Sequence, residues 1–152
     1  APNLIVSVGK QLAFDTLLRG SAYTVTGPFL GLISGTPTPA YADTMVTHAG
    51  WTEFTNYTVG GSAVRGTASF AAATSTGTTP SNVTSSTATA ITYTITGAGG
   101  TVYGCFLVTG TGAVSTQSST AGTLYSEGNF TTAKTVTAGD TVSVTYSTSA
   151  TS

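Results

Sequence analysis

Apolar and polar residues alternate along several short segments of the chain, which is the pattern of half-buried β-strands. In residues 89–96 the apolar side chains occupy alternate positions and threonines fill those between, and residues 141–147 alternate in the same way. Two uninterrupted apolar runs, at 28–33 and 101–108, are typical of strands that are buried on both faces. The pattern therefore predicts a chain built mostly of strands.

Glycine-rich turns separate these segments and indicate how the strands connect. The turn GAGG joins 89–96 to 101–108, so these two strands are expected to form a hairpin. Further strands are expected at 64–72 and 122–126. Several short strands at regular spacing predict a mainly β fold, an antiparallel β-sandwich or jelly-roll-like domain that covers residues 1–152 as a single unit.

One segment departs from the strand pattern and predicts a short N-terminal helix at 7–19. Its apolar residues recur near the spacing of one helix face, at Val8, Leu12, Leu17 and Leu18. Ser7 is placed to act as the N-cap, and Gly20 is placed to end the helix. A helix of about three turns needs a sheet to pack against.

Residues 34–54 show no regular period and are predicted to form a long loop or arm. The arm contains two prolines and gathers large side chains that are rare elsewhere in the chain: Tyr41, Met45, Trp51 and Phe54. Such side chains on a stiffened loop are typical of contact surfaces. We therefore expect these four interface candidates to anchor the protein, either in its own core or against a neighbour. The polar stretch 73–88 is predicted to be a second surface loop.

The arm also holds the residues that could carry chemistry. His48 is the only imidazole, and with Asp43 and Glu53 it could supply three metal ligands, although their spacing matches no zinc signature. A serine triad would need His48, and no serine lies in a GxSxG motif. Asp43 has a simpler role as the cap of a short helical turn, through the backbone N–H of Met45 or Val46. We expect no catalytic residue, no metal and no cofactor.

Charged residues make up 6% of the chain and the formal net charge is −1. The four basic residues form no cluster, which argues against a nucleic-acid partner, and no apolar run is long enough to span a membrane. So little charge gives weak repulsion between copies and favours a surface that is covered by partners. Cys105 lies alone in an apolar strand and is expected to be buried and unreactive.

Four stretches of the chain together resemble a group of small structural proteins of tailed bacteriophages. In that group an N-terminal helix and an LGL strand precede a proline-containing loop and a β-domain. The resemblance covers the chain from about Leu4 to Tyr146. The stretches that carry it are LGLISGTPTPAYADTMVTHAGWTEFTNYT, CFLVTG, GTLYSEGNF and KTVTAGDTVSVTY.

The resemblance implies a virion structural protein, similar to the decoration or cement proteins on the capsid exterior, made in the cytoplasm of the bacterial host. Its implied partners are the major capsid protein and further copies of itself, as a homotrimer. The resemblance brings no catalytic residues. The alternative is a host- or glycan-binding fibre or appendage module, for which Tyr57, Tyr125 and Asn129 are the candidate sugar-contacting residues.

Overall fold

The computed structural model describes residues 3–23, 26–75 and 83–151. Within these ranges the chain forms one helix and twelve strands. In chain order they are β1 (Leu4–Ile5), α1 (Ser7–Leu17), β2 (Phe29–Ser34), β3 (Thr52–Phe54), β4 (Tyr57–Thr58), β5 (Gly66–Thr67), β6 (Thr74–Ser75), β7 (Val83–Thr87), β8 (Ile91–Ile95), β9 (Gly100–Thr109), β10 (Thr123–Val136), β11 (Thr141–Val144) and β12 (Ser147–Thr151).

The strands form three antiparallel sheets. The largest has the order β1-β10-β9-β2-β3, with β5 also paired to β2; the other two have the orders β11-β8-β4 and β12-β7-β6. The two longest strands, β9 and β10, pair from Thr123↔Thr109 to Val136↔Gly100. The predicted fold class is therefore confirmed: the chain is mainly β, antiparallel and sandwich-like, with one short N-terminal helix.

The larger core lies between the first two sheets. The alternation predicted for 89–96 is confirmed, because Ile91, Tyr93 and Ile95 of β8 all point inward. The Tyr93 hydroxyl donates a hydrogen bond of 2.7 Å to the carbonyl of Leu30 in β2, which joins the two sheets. Cys105 is buried in this core as predicted, and burial raises the pKa of its thiol to about 12.

The hairpin predicted between 89–96 and 101–108 is wrong. β8 pairs with β11 and β4, whereas β9 pairs with β10 and β2, so the glycine turn carries the chain from one sheet to the other. Gly99 has a φ of +67°, and a Cβ on it would collide with the Val136 carbonyl. The glycines here permit a close passage of the backbone beside β10 rather than a tight two-strand turn.

Two other boundaries differ from the prediction. The strand expected at 122–126 continues to Val136, and the one expected at 64–72 is limited to β5. The polar stretch 73–88 was expected to be a loop, but it contains β6 and β7, while residues 76–82 lie outside the described residues. Threonine and serine suit both exposed strands and loops, so the composition of this stretch does not distinguish the two.

The helix α1 falls within the predicted range 7–19 but is capped differently. Val6 holds the N-cap position and makes no side-chain cap, so Ser7 is not the cap. The Ser7 N–H donates instead to the carbonyl of Tyr41 in the arm, at 2.9 Å. A backbone group far along the chain thus satisfies one of the free donors at the start of the helix.

α1 packs against β10 through Gly9, the only buried residue that it contributes. A Cβ on Gly9 would collide with the Tyr125 carbonyl, so the helix backbone lies directly on the strand. The predicted apolar face is wrong in its C-terminal half, because Leu17 and Leu18 are exposed. Gly20, with a φ of +74°, follows the helix as predicted.

Candidate functional site

The arm was predicted at residues 34–54; the structure forms no helix or strand over residues 35–51, which connect β2 to β3, while Ser34 belongs to β2 and Thr52–Phe54 form β3. The arm closes on itself through a hydrogen bond of 3.0 Å from the Thr38 N–H to the Gly50 carbonyl. It is attached to β10 where the Asn129 side-chain amide donates to the Pro37 carbonyl, at 3.2 Å. The arm is therefore held against the main sheet by its backbone.

Three of the four predicted anchors point into the core of the chain itself. Met45 and Trp51 belong to a core cluster beneath the arm, and Phe54 belongs to the larger core between the sheets. Tyr41 is 53% exposed, and the Lys10 ammonium lies 4.8 Å from the centroid of its ring. The sequence left open whether these residues anchor the chain in its own core or against a neighbour. Met45, Trp51 and Phe54 lie in the core, and a contact with a neighbour stays a prediction for Tyr41.

Trp51 is bound along its polar edge by a buried carboxyl group that the sequence patterns did not identify. Its Nε1–H donates to Oε2 of Glu127 in β10, and its ring packs against Phe106 with 4.9 Å between centroids. A second buried carboxyl group, that of Asp43, lies beside Glu127. One N–H, from Ala40, donates to both: 3.1 Å to Glu127 Oε1 and 3.0 Å to Asp43 Oδ2.

Two buried carboxylates that share one donor repel each other, and the pair avoids this repulsion by keeping a proton. Burial, together with the hydrogen bond and the charge of Asp43, raises the pKa of the Glu127 carboxyl from 4.5 to about 8. The Glu127 carboxyl therefore keeps its proton near neutral pH. The capping role predicted for Asp43 is wrong, because its carboxylate accepts from Ala40 on its N-terminal side.

We expect the stability of the protein to fall as the pH rises from about 5 to about 9. A carboxyl group with a higher pKa in the folded chain binds more protons there than in the unfolded chain. Its stabilising contribution is therefore complete below pH 4.5 and is lost as the pH rises through about 8. At about 1.4 kcal/mol per pKa unit, the loss is on the order of a few kcal/mol. Urea unfolding at several pH values measures it.

The variant Glu127→Gln is the matched control, because its amide has the shape of the protonated carboxyl group and can still accept a hydrogen bond from Trp51. Its free energy of unfolding should change little over this pH range and exceed that of the natural chain at pH 9. The same unfolding series is repeated for both chains with the added substitution His48→Ala. This removes the only imidazole, so its titration does not contribute to the pH dependence. A natural chain whose stability is flat or increases between pH 5 and 9 would contradict the shared proton.

A second buried polar group joins the end of the arm to the β9–β10 connection. The guanidinium of Arg65 pairs with the Glu53 carboxylate, Nε to Oε1 at 2.9 Å and Nη2 to Oε2 at 2.7 Å. The Arg65 side chain is fully buried. The same guanidinium donates to the carbonyls of Val114 and Ser119, and the Ser118 N–H donates to Glu53 Oε2 at 2.8 Å. Bidentate pairing is the strongest geometry available to these two groups.

The β9–β10 connection, residues 110–122, is held in place by these contacts. Ser118 has a φ of +64°, a conformation that costs a non-glycine residue free energy and persists only where its surroundings impose it. The hydrogen bond from the Ser118 N–H to the Glu53 carboxylate is one of the contacts that hold this conformation. Glu53 and Arg65 therefore have a structural role: both hold the β9–β10 connection, residues 110–122, in position.

The three candidate metal ligands are engaged separately. His48 stacks on Trp51 with 3.8 Å between ring centroids, and its Nδ1 lies 3.0 Å from the Trp51 carbonyl oxygen. Asp43 is bound to Ala40, and Glu53 is bound to Arg65. In the described part of the chain, no three His, Cys, Asp or Glu residues are grouped so that they could hold a metal ion.

The three candidate sugar-contacting residues do not converge on one site. Tyr57 is buried in the larger core. Tyr125 borders an apolar groove beside α1, whereas Asn129 lines a separate cavity of about 410 Å³ that β10 and β12 border. A glycan site built from all three residues therefore does not form.

Large apolar side chains are exposed on α1, on the arm and on the β9–β10 connection. Among the described residues these are Phe14, Leu17, Leu18, Tyr41, Val46 and Val114. None of the helices in the described ranges has the length and apolar character needed to cross a membrane. Comparison with protein-family models, with curated proteins and with solved structures gives no match.

Proposed function

We propose that the chain is a virion structural protein, and in particular a capsid decoration or cement protein that stabilises the phage head through protein–protein contacts. The observation that carries the proposal is the distribution of apolar and charged side chains. In the described ranges six large apolar side chains are exposed, while Asp43, Arg65 and Glu127 are buried in a chain with only four basic and five acidic residues. Such a surface favours association over a free monomer.

The described polar groups support a structural role more than a catalytic one. The carboxyl groups of Glu53 and Glu127 accept hydrogen bonds within the fold, and His48 is stacked on Trp51. These contacts hold the arm and residues 110–122 in fixed positions, which suits a surface that must fit a partner in many identical copies. Modest contacts summed over many copies then stabilise the shell by avidity.

Phage particles made with and without this protein test the proposal. We expect cryo-electron microscopy to show repeated density on the outer surface of the shell, absent from particles that lack the protein and restored when purified protein is added. Particles without it should also break at a lower temperature, because they lose contacts that bind only the assembled shell. Density confined to the neck or tail, or no density on the particle, would overturn the capsid assignment.

A host- or glycan-binding fibre or appendage module is the second candidate, and one cavity favours it. The 410 Å³ cavity is lined by hydroxyl-bearing residues of β12 and by Asn129, whose buried Oδ1 has no hydrogen-bond partner among the described residues. Sugar hydroxyls are complementary to such groups. Density at the tail tip, together with binding to a glycan array, would support this role in place of the first.

A further inference from the structure

The arm, residues 35–51, has both of its ends held by strands, so it can leave the main sheet as one unit. The strands on either side of it pair at Ser34↔Thr52, and the hydroxyl oxygens of these two residues lie 2.9 Å apart. The hydrogen bond from the Thr38 N–H to the Gly50 carbonyl closes the arm a second time. Opening of the arm therefore leaves the strand pairs in place and does not require the domain to unfold.

The attachments of the arm to β10 converge on the carboxyl group of Glu127. Its Oε1 accepts a hydrogen bond from the Ala40 N–H, and its Oε2 accepts one from the indole N–H of Trp51. A further bond runs from the side-chain amide of Asn129 to the Pro37 carbonyl. One buried carboxyl group thus joins the sheet to two points of the arm that are 11 residues apart in sequence.

The cations of the elements around Glu127 are engaged with other groups. From α1, the Lys10 ammonium lies over the ring of Tyr41. The guanidinium of Arg65, on the opposite side of the second core cluster, forms the bidentate pair with Glu53. Neither cation is therefore placed to neutralise a charge on Glu127.

The groups that face Glu127 from the arm make a second negative charge unfavourable. His48 stacks on Trp51, while Asp43 shares the N–H of Ala40 with Glu127. Burial, followed by the hydrogen bond and the charge of Asp43, raises the pKa of the Glu127 carboxyl to about 8. Loss of that proton places two negative charges around one donor in a buried position, and access of water to the pair relieves their repulsion.

We propose that Glu127 and Asp43 form a pH-sensitive latch, which holds the arm on β10 while Glu127 is protonated and releases it when the proton is lost. The exposed apolar residues of the arm, Tyr41 and Val46, keep a fixed position only while the latch is closed. A surface that includes them is therefore presented at neutral pH and withdrawn at alkaline pH. The latch belongs to the isolated chain, so it can fail while the proposed virion role stands.

The latch goes beyond a fall in overall stability, because it states which part of the chain opens first. Ionisation of a buried carboxyl group favours every state in which water reaches it, whether the arm alone has opened or the whole chain has unfolded. The arm needs fewer contacts to break than the sheets do. Local opening is therefore the state through which the chain responds to the loss of the proton.

Amide hydrogen exchange at pH 6 and pH 9, corrected for the faster intrinsic exchange at high pH, tests the latch. The Ala40 N–H, which both carboxyl groups bind, is compared with the N–H of Phe106 in β9, at the centre of the largest sheet. Ala40 should be at least about tenfold less protected than Phe106 at both pH values. Its protection should fall at least about tenfold from pH 6 to pH 9, and the indole N–H of Trp51 should follow it.

The variant Glu127→Gln cannot ionise, so its Ala40 protection should stay within about twofold over the same range. Asp43→Asn removes the repulsion and should move the midpoint of the loss to lower pH. The matched control Asp15→Asn also removes one carboxyl group, an exposed one on α1, and should behave like the natural chain. Equal protection of Ala40 and Phe106 in the natural chain would overturn the proposal, because the chain then opens only by unfolding. So would a protection of Ala40 that does not change with pH, or one that falls as much in Glu127→Gln.

Discussion

Replacing Trp51 by alanine should lower the free energy of unfolding by about 3–5 kcal/mol, a large part of the 5–15 kcal/mol that holds a typical domain folded. Trp51 is buried beneath the arm, packs against Phe106 and donates its indole N–H to Glu127. The substitution leaves a cavity in the second core cluster and removes one of the donors to a buried carboxyl group. Urea unfolding at pH 6 measures the loss.

Two further variants separate the parts of this effect. Trp51→Phe keeps an aromatic ring against Phe106 and removes the indole N–H together with the five-membered ring, so it should cost about 1–3 kcal/mol. His48→Ala removes the half-exposed ring that covers Trp51 and should cost less than about 1 kcal/mol. If Trp51→Ala were no less stable than His48→Ala, the arm would not be anchored by this side chain.

Replacing Glu53 by alanine should cost a similar amount, about 3–5 kcal/mol, for an electrostatic reason. The substitution leaves the guanidinium of Arg65 fully buried without its counter-charge, and breaking a buried ion pair at one partner is strongly destabilising. It also removes the acceptor of the Ser118 N–H, so residues 110–122 should lose their fixed position. Urea unfolding measures the first effect, and faster amide hydrogen exchange at 118 reports the second.

Two comparisons make this prediction specific to the buried charge. The double variant Glu53→Leu, Arg65→Met replaces the pair with apolar side chains and leaves no charge unpaired. It should recover the part of the loss that comes from the unpaired charge, while the hydrogen bonds to Ser118, Val114 and Ser119 stay lost. Asp15→Ala breaks the exposed pair with Arg19 and should cost less than about 1 kcal/mol. A Glu53→Ala variant as stable as Asp15→Ala would mean that the buried pair contributes nothing beyond a surface pair.

The local features of the fold could be predicted from the sequence because they depend on nearby residues. Alternation identified the inward face of β8, and an apolar run placed Cys105 inside the core. The partners of β8 and β9 could not be predicted in the same way, since the turn between them is compatible with a hairpin and with a crossing between sheets. Which of the two forms depends on β10 and β11, which lie far along the chain.

The polar contacts of the arm were predictable only in part. Asp43 and Glu53 stood out because acidic residues are rare in this chain, but their partners Glu127 and Arg65 are distant in sequence. A lone charged residue within a predicted strand, as Glu127 in TLYSEGNF, does not identify its partner. The exposure of Leu17 and Leu18 was not predicted. Gly9 determines which side of α1 lies against the sheet, and the spacing of apolar residues alone does not identify that side.

The position of α1 in the chain also determines when it can form. It has 11 residues, fewer than an isolated helix needs to be stable in water. Its first N–H is satisfied by Tyr41 and its backbone rests on Tyr125, so both supports leave the ribosome after the helix does. The exposed apolar side chains of Phe14, Leu17 and Leu18 are therefore not displayed on a formed helix until Tyr125 has been made.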